Sequence, residues 1–415
     1  MPTPEPLTQA AAPVREKERI AILDILRGFA ILGILVVNMR WFNTPVGILT
    51  SELSLWDRPV DQVVKFLVYA VFDAKFYVLF SMLFGYGFWL FMNKSLPPGK
   101  SVVRLFSVRL FILLLIGAAH VIFLWPGDIL VFYALVGFVL ILFRSVRDRT
   151  LLRWAVGVVA APVILLTLVF LGSLDSTFAA EMQKTLDERA AAMRDLADRA
   201  LVIYTSGSFA QIVAIRLEEY QAILEGVLFF QINILAYFLV GQWAARKGIL
   251  AEVEAHLPLL RRLLFWGLII GIPANLFYAY VAVFGNLYDL GGMALAVSAL
   301  TMFGSPLLTL GYVAGFILLY RQGHLKKLGR GLAAVGRMAL TNYLAHSVVA
   351  ALLFHSYGLG LYGAMSPGIG LLVVAVIFGL QIPFSLWWLQ RFRFGPVEWL
   401  WRTLTYRKLQ PLRRG

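Results

Sequence analysis

The sequence has no cysteine and few acidic residues. Its 415 residues include 23 Asp and Glu against 37 Lys and Arg, and charged residues make up only 14% of the chain, whereas a soluble domain carries about 25%. Without cysteine there is no disulfide, thiolate nucleophile or zinc–thiolate site. Because 60% of the residues are hydrophobic, an ordinary soluble enzyme and a disordered chain are excluded. The composition predicts an integral membrane protein.

The sequence also lacks the short motifs of several large enzyme classes. It has no phosphate-binding loop, no Gly-x-Ser-x-Gly elbow, no His-Glu-x-x-His helix and no dinucleotide fingerprint. These absences argue against ATP-driven transport and against hydrolases of the soluble type, and we predict no metal site. No internal repeat is visible, so an inverted-repeat transporter gains no support.

Long apolar runs dominate the chain. A spanning helix needs roughly 20 mostly apolar residues, and about ten runs qualify. They predict an all-α, polytopic bundle of about ten transmembrane helices at residues 20–39, 63–91, 105–124, 129–143, 151–171, 222–244, 263–284, 293–319, 332–354 and 369–389.

The basic residues fall in alternate connections and in both tails. Intervening connections are acidic or poor in Lys and Arg, as at Glu52, Asp57 and Asp289. Since basic loops stay in the cytoplasm, ten spans with both termini cytoplasmic fit best. We therefore divide the chain into a flexible cytoplasmic tail (1–19), a transmembrane domain (20–392) and a cytoplasmic interfacial segment (393–415). The basic residues that give the net charge of +14 then set the membrane topology and contact lipid headgroups. We predict no nucleic-acid partner.

One long connection, residues 172–221, is less hydrophobic and has helical spacing. Its apolar residues recur every three or four positions with charged residues between them. This pattern predicts an amphipathic helix between spans 5 and 6, lying on the outer membrane surface, over a cavity mouth, or against the bundle as a tether.

Ionisable residues inside apolar spans indicate where function should be sought, because each is costly without a partner or a water-filled cavity. Asp24 and Arg27 are three residues apart and can pair on one helix face near the cytoplasm. Asp73 and Lys75 are two apart and should serve different partners. Asn38 ends the first span.

Two histidines are candidate bases. His120 ends the third span, and Asp128 follows the tight turn at 126–127, so Asp128 either caps the next helix or orients the imidazole. Asn342 and His346 are four residues apart and share a face of the ninth span. Arg104 and Arg109 lie at the cytoplasmic end of the third span.

Six segments carry a resemblance to a known family. They are LDILRGFAILGILVVNM (23–39), FYVLFSMLFGYG (76–87), WPGDILVFYALVG (125–137), YTSGSFAQIVAIRLEEY (204–220), GRMALTNYLAHS (336–347) and GPVEWLWRTLTY (395–406). Together with His120 they resemble the YeiB-like family, domain of unknown function 418. That family is similar to a wider group of transmembrane acyltransferases of lysosomal and bacterial membranes.

The resemblance implies an acyltransferase in the bacterial cytoplasmic membrane. Such an enzyme takes an acyl group from cytoplasmic acyl-CoA and delivers it to an acceptor in the envelope. Asp24, Arg27, Arg104 and Arg109 would then hold acyl-CoA. His120 with Asp128, or His346, would act as base, and Asn342 or Asn38 would bind the oxyanion. We expect the remaining cavity residues to be Asp73, Lys75, Tyr133 and Tyr343.

Two other classes stay open at this point. A secondary transporter or exporter could use the scattered ionisable residues for proton coupling. A non-catalytic scaffold or lipid-binding protein could use the Trp-rich C-terminal segment to dock. Membrane lipids are partners in every case, and the sequence leaves the oligomeric state open.

Overall fold

The computed structural model describes residues 20–50, 53–95, 97, 99–285 and 292–414. The predicted tail 1–19, Glu52 and Asp289 lie outside these residues. Apart from one isolated bridge between Phe392 and Arg413, the regular structure in the described part is helical. The α-helices are α1 (Ala21–Asn43), α2 (Val46–Leu49), α3 (Pro59–Val71), α4 (Phe76–Met92), α5 (Val102–Phe123), α6 (Leu130–Leu142), α7 (Asp148–Gly172), α8 (Ser176–Ser206), α9 (Phe209–Gln231), α10 (Asn233–Arg246), α11 (Leu257–Trp266), α12 (Ile272–Phe284), α13 (Gly292–Arg321), α14 (Lys326–Arg337), α15 (Ala339–Phe354), α16 (Pro367–Arg391) and α17 (Pro396–Tyr406).

The all-α, multi-pass membrane class is confirmed. Within the described residues, seven helical segments are long and apolar enough to cross a membrane: Ala21–Asn43, Pro59–Met92, Val102–Phe123, Asp148–Gly172, Val253–Phe284, Gly292–Arg321 and Pro367–Arg391. Leu130–Leu142 and Ala339–Phe354 are apolar but shorter. They correspond to the predicted fourth and ninth spans, and the predicted sixth span is divided between α9 and α10.

Several predicted spans are broken helices. The second span is divided into α3 and α4, and Ala74 between them has φ of 60°. A non-glycine residue in this left-handed region costs roughly 1–2 kcal/mol, and the buried Lys75 ammonium spans the break by donating to the Tyr69 carbonyl at 2.7 Å. The ninth span begins as α14 and restarts as α15 after Met338.

Glycines bring two pairs of helices into close contact around the core. A Cβ on Gly28 of α1 would lie 2.0 Å from the Leu332 carbonyl oxygen of α14, and a Cβ on Gly336 would lie 1.9 Å from the Asp24 carbonyl oxygen. Gly85 of α4 meets the Phe238 backbone of α10 in the same way. Small residues permit this approach in membrane helices, so α1 and α4 are held at the centre of the bundle.

The predicted amphipathic segment folds as α8, a 31-residue helix. Asp175 caps it by accepting from the amides of Thr177 and Phe178, both at 3.0 Å. Its apolar stripe packs inward toward its C-terminal half, where Ala197 and Tyr204 are buried. The helix predicted from spacing is therefore present.

The C-terminal segment packs on the bundle. The Trp401 indole of α17 donates to the Arg109 carbonyl of α5 at 2.8 Å. We call this end of the molecule, which carries Asp24, Arg109 and Arg402, the basic end. The other end of α1, near Asn43, is the distal end.

Candidate active site

His120 and Asp128 meet across the turn between α5 and α6. The imidazole Nδ1 lies 2.8 Å from Asp128 Oδ1, and both side chains are fully buried. Asp128 Oδ2 also accepts from the Val131 amide at 2.7 Å, so one carboxylate both caps α6 and orients the histidine. An ionised carboxylate only accepts, so the tautomer that pairs with an ionised Asp128 carries its proton on Nδ1 and has Nε2 as the basic nitrogen.

A serine completes the chain of hydrogen bonds. Ser347 of α15 lies with its Oγ 2.8 Å from His120 Nε2, and it is buried. The order hydroxyl, imidazole, carboxylate is that of a Ser-His-Asp triad, which is recognised by geometry rather than by sequence position. Ser347 can therefore donate its proton to His120, and the arrangement suits acyl transfer through a serine oxygen.

Two tyrosines lie beside this triad. The Tyr343 ring packs against the His120 ring with centroids 5.3 Å apart. Tyr133 lies deeper in α6, and its hydroxyl is 2.7 Å from Ser81 Oγ. Both tyrosines are buried, and both line the same cavity. None of the three triad residues lines this cavity; the triad adjoins it through the Tyr343 ring, which packs against His120.

This cavity, which we call the basic cavity, runs from the basic end to the two tyrosines. Its volume is about 300 Å³, and its walls are mainly apolar side chains of α1, α4 and α5. Five cationic side chains line it against two carboxylates, Asp24 and Glu398, and these are Arg27, Lys94, Arg109, Arg337 and Arg402. A chamber with a cationic mouth and a long apolar wall fits an amphiphile with an anionic head.

Individual contacts hold the cationic side chains in place at the opening of the basic cavity. Arg27 Nη1 donates to Asp24 Oδ1 at 2.9 Å, as their spacing predicts. The Arg109 guanidinium lies 3.6 Å from the centroid of the Trp401 ring, which holds it flat by a cation–π contact. Arg104 does not line the cavity; it is exposed on α5.

Glu398 of α17 caps the beginning of α15. Its Oε1 accepts from the Leu340 and Thr341 amides at 2.7 and 3.1 Å, and its Oε2 accepts from the Thr341 hydroxyl at 2.5 Å. A carboxylate at a helix N-terminus satisfies amides that have no partner in the helix. This cap fixes the helix that presents Tyr343 and Ser347.

We expect Glu398 to make thermal stability depend on pH. Burial raises the pKa of Glu398 above its ordinary 4.5, while its hydrogen bonds act against the rise. A raised pKa means that the native state binds the proton more readily, so stability should fall as pH rises from about 4.5 through the raised value. Glu398→Gln keeps an acceptor oxygen but does not titrate. Its melting temperature in detergent should therefore vary less over this range, and an unchanged pH profile would contradict the assignment.

Asn342 and His346 face another helix. His346 Nε2 is 2.9 Å from Gln381 Oε1, and Asn342 Nδ2 donates to Ser385 Oγ at 3.2 Å. Both partners belong to α16, and neither Asn342 nor His346 lines the basic cavity. The structure therefore brings His120 together with Ser347, and places His346 in a polar contact between α15 and α16.

The remaining predicted residues lie nearer the distal end. The Tyr278 hydroxyl donates to Asp73 Oδ2 at 2.5 Å, whereas Lys75 contacts the Tyr69 carbonyl. Asn38 is half-buried in α1. None of the three lines the basic cavity. Among the described residues, no three His, Asp or Glu side chains are grouped as a metal site requires.

The sequence did not point to Ser347, Lys94, Arg337 or Arg402 as site residues. Arg402 had a signal, since it follows Glu398 by one helical turn in a Trp-rich segment. Ser347 had none, because a serine in an apolar helix ordinarily bonds to its own backbone.

Comparison with known proteins gives three relatives over nearly the whole chain. YxaH of Bacillus subtilis is 36% identical over 96% of this chain and 97% of its own length. YeiB of Escherichia coli is 32% identical over 95% of this chain and 98% of its own. A 39.9 kDa protein from the amylase 3′ region of Bacillus acidopullulyticus is 28% identical over 96% and 97%. The family model described as "Protein of unknown function (DUF418)" matches residues 244–408.

Proposed function

The chain belongs to the YeiB-like family, domain of unknown function 418, and from this premise we propose that it is a membrane acyltransferase. The observation that carries the proposal is the hydrogen-bonded chain Ser347–His120–Asp128 behind a cavity with a cationic mouth. The triad supplies a nucleophile and a base for acyl transfer. The cavity supplies a place for an anionic acyl donor.

The topology we propose has ten spans, with both termini in the cytoplasm of a bacterial cell. It divides the chain into the tail 1–19, the transmembrane domain 20–392 and the interfacial segment 393–415. The alternation of Lys and Arg along the chain supports it. The basic cavity then opens to the cytoplasm, where acyl-CoA is found, and α8 lies on the opposite side of the cytoplasmic membrane.

We propose acyl-CoA as the donor, because its anionic phosphates suit the cationic side chains at the opening of this cavity. Arg27, Arg109 and Arg402 would bind its phosphates, since guanidinium groups pair with phosphate oxygens in bidentate fashion. The pantetheine arm would extend along the apolar wall toward Tyr133 and Tyr343. This direction brings the thioester to the side of the cavity behind which His120 and Ser347 lie.

The chemistry takes two balanced steps. In the first, His120 Nε2 takes the Ser347 proton as Ser347 Oγ attacks the thioester carbonyl, and the departing CoA sulfur receives that proton from His120. In the second step, His120 takes the proton of an acceptor hydroxyl or amine. The oxygen or nitrogen of that acceptor attacks the carbonyl carbon of the acyl group on Ser347. The Ser347 oxygen then regains the proton. Asp128 stabilises the imidazolium, and Tyr343 would donate to the developing oxyanion.

The proposal is tested by turnover in proteoliposomes. The purified protein is reconstituted with bacterial envelope extract as the acceptor pool, and acyl-CoA labelled in its acyl group is added. We expect protein-dependent release of CoA thiol and transfer of label to an extractable product. Release and transfer no greater than in protein-free vesicles, with every acyl chain length tried, would contradict the acyltransferase assignment.

A further inference from the structure

A second cavity lies at the distal end of the bundle, between the end of α1, α3 and the start of α16. Its volume is about 350 Å³, and we call it the distal cavity. Arg40 of α1 lines it, whereas Arg27 lines the basic cavity. At about 100° per residue these arginines point about 140° apart around α1. The distal cavity is therefore a separate site on nearly the opposite side of α1.

The distal cavity is rich in hydrogen-bond donors. The Arg40 guanidinium lies 4.6 Å from the centroid of the Tyr69 ring and donates to the Tyr69 hydroxyl. Among the ion pairs that the structure describes, none includes Arg40. Of the five N–H groups of the Arg40 guanidinium, one therefore donates to an acceptor within the described residues. The guanidinium has donors left for a ligand.

A second cation and an indole line the same cavity. The Lys65 ammonium donates to Ser54 Oγ at 2.5 Å and lies 3.7 Å from Asp57, whose side chain is 69% exposed. This contact folds the segment 53–57 over the cavity. Trp56 Nε1 is buried there and has no hydrogen-bond partner among the described residues. A buried N–H without an acceptor is unfavourable, so a ligand oxygen at this place would satisfy it.

We propose that the distal cavity binds a phosphate group. Arg40, Lys65, Trp56 and Gln62 all line one space, and the carboxylate in its lining, Asp57, is mostly exposed to solvent. The Lys65 ammonium already donates to Ser54 Oγ and to the Trp56 carbonyl, so it contributes its charge, and Arg40 contributes the donors. Arginine pairs with phosphate through two parallel hydrogen bonds, and further donors fit the remaining oxygens. The phosphate belongs either to a phospholipid, whose chains could follow the apolar side chains of Leu53 and Leu371, or to a soluble phosphate ester.

Binding to the purified full-length protein tests this inference. The protein is held in a phosphate-free maltoside detergent without acyl-CoA, and glycerol 3-phosphate and short-chain phosphatidylglycerol are titrated separately by calorimetry. Binding of either probe supports the site, and the probe that binds identifies the source of the phosphate. Arg40→Gln should weaken binding at least tenfold, and Trp56→Phe, which keeps the ring but removes the N–H, should weaken it several-fold.

Arg199→Gln is the matched control, since it removes a cation from the exposed surface of α8, where Arg199 pairs with Glu218 at 2.7 Å. It should bind the probe as the unchanged protein does. If neither probe binds, or if Trp56→Phe and Arg40→Gln bind as tightly as Arg199→Gln, the inference is wrong. The assay contains no acyl donor, so its result is independent of the acyltransferase proposal.

Discussion

Replacement of His120 by alanine is expected to reduce acyl transfer by about 10²- to 10⁴-fold, the range for loss of a positioned general base. Without the imidazole, Ser347 keeps its hydroxyl but has no group to take its proton. Asp128 would remain buried without the 2.8 Å contact to Nδ1. The rate is measured as release of CoA thiol in proteoliposomes, after the melting temperature shows that the variant is folded.

His355→Ala provides the matched control, because His355 is also buried but stacks on Tyr204 near the distal end, with ring centroids 4.7 Å apart. Its transfer rate should stay within a few-fold of the unchanged protein. His346→Ala separates the two candidate bases. If His346→Ala abolishes transfer while His120→Ala retains it, the assignment of the base to His120 is wrong.

A large side chain at Gly87 is expected to block the basic cavity. Gly87 lines that cavity, and a Cβ there would lie 3.6 Å from Arg27 Nη2 and, outside its own helix turn, meet no other described atom within 4 Å. The phenyl ring of Gly87→Phe would therefore occupy part of the basic cavity, whose volume is about 300 Å³. We expect the Kd for CoA to rise by about tenfold or more, since overlap of a few atoms costs about 1–3 kcal/mol.

Gly157→Phe is the control for this substitution. Gly157 lies on the exposed side of α7, and a Cβ there meets nothing within 4 Å. Both variants add the same ring to a helix glycine, so equilibrium binding of labelled CoA should fall only for Gly87→Phe. Equal loss in both would mean that the ring disturbs the bundle, and equal retention would place the CoA site outside the basic cavity.

The sequence predicted the class of the fold and the contact between His120 and Asp128. Apolar runs gave the helical segments, because a span needs a minimum apolar length that is visible in the chain. His120 and Asp128 were paired correctly in space because only a short turn separates them. The helix breaks at Ala74 and Met338 were not predicted, because neither alanine nor methionine is a residue type that indicates a break.

The cationic mouth was predicted only in part, for a geometric reason. Arg104 and Arg109 are five residues apart, or about 140° around a helix, so both cannot face one cavity. Asn342 and His346 share a face, but Tyr343 and Ser347 share the face about 100° away, and that face meets His120. Arg337 reaches the cavity through the packing of α14, which no local pattern reveals. Arg402 lies one helical turn after Glu398, but only the packing of α17 on the bundle brings it to the cavity.

The most direct test of the account is the identity of the residue that carries the acyl group. The purified protein is incubated with acetyl-CoA without acceptor, quenched in acid and digested, and the peptides are examined by mass spectrometry. We predict an acetyl group on Ser347 in the unchanged protein and none in Ser347→Ala. The same treatment of Ser305→Ala, which removes another buried hydroxyl, should leave the Ser347 label in place. Sustained acyl transfer with Ser347 unlabelled, or by the Ser347→Ala variant, would contradict the account.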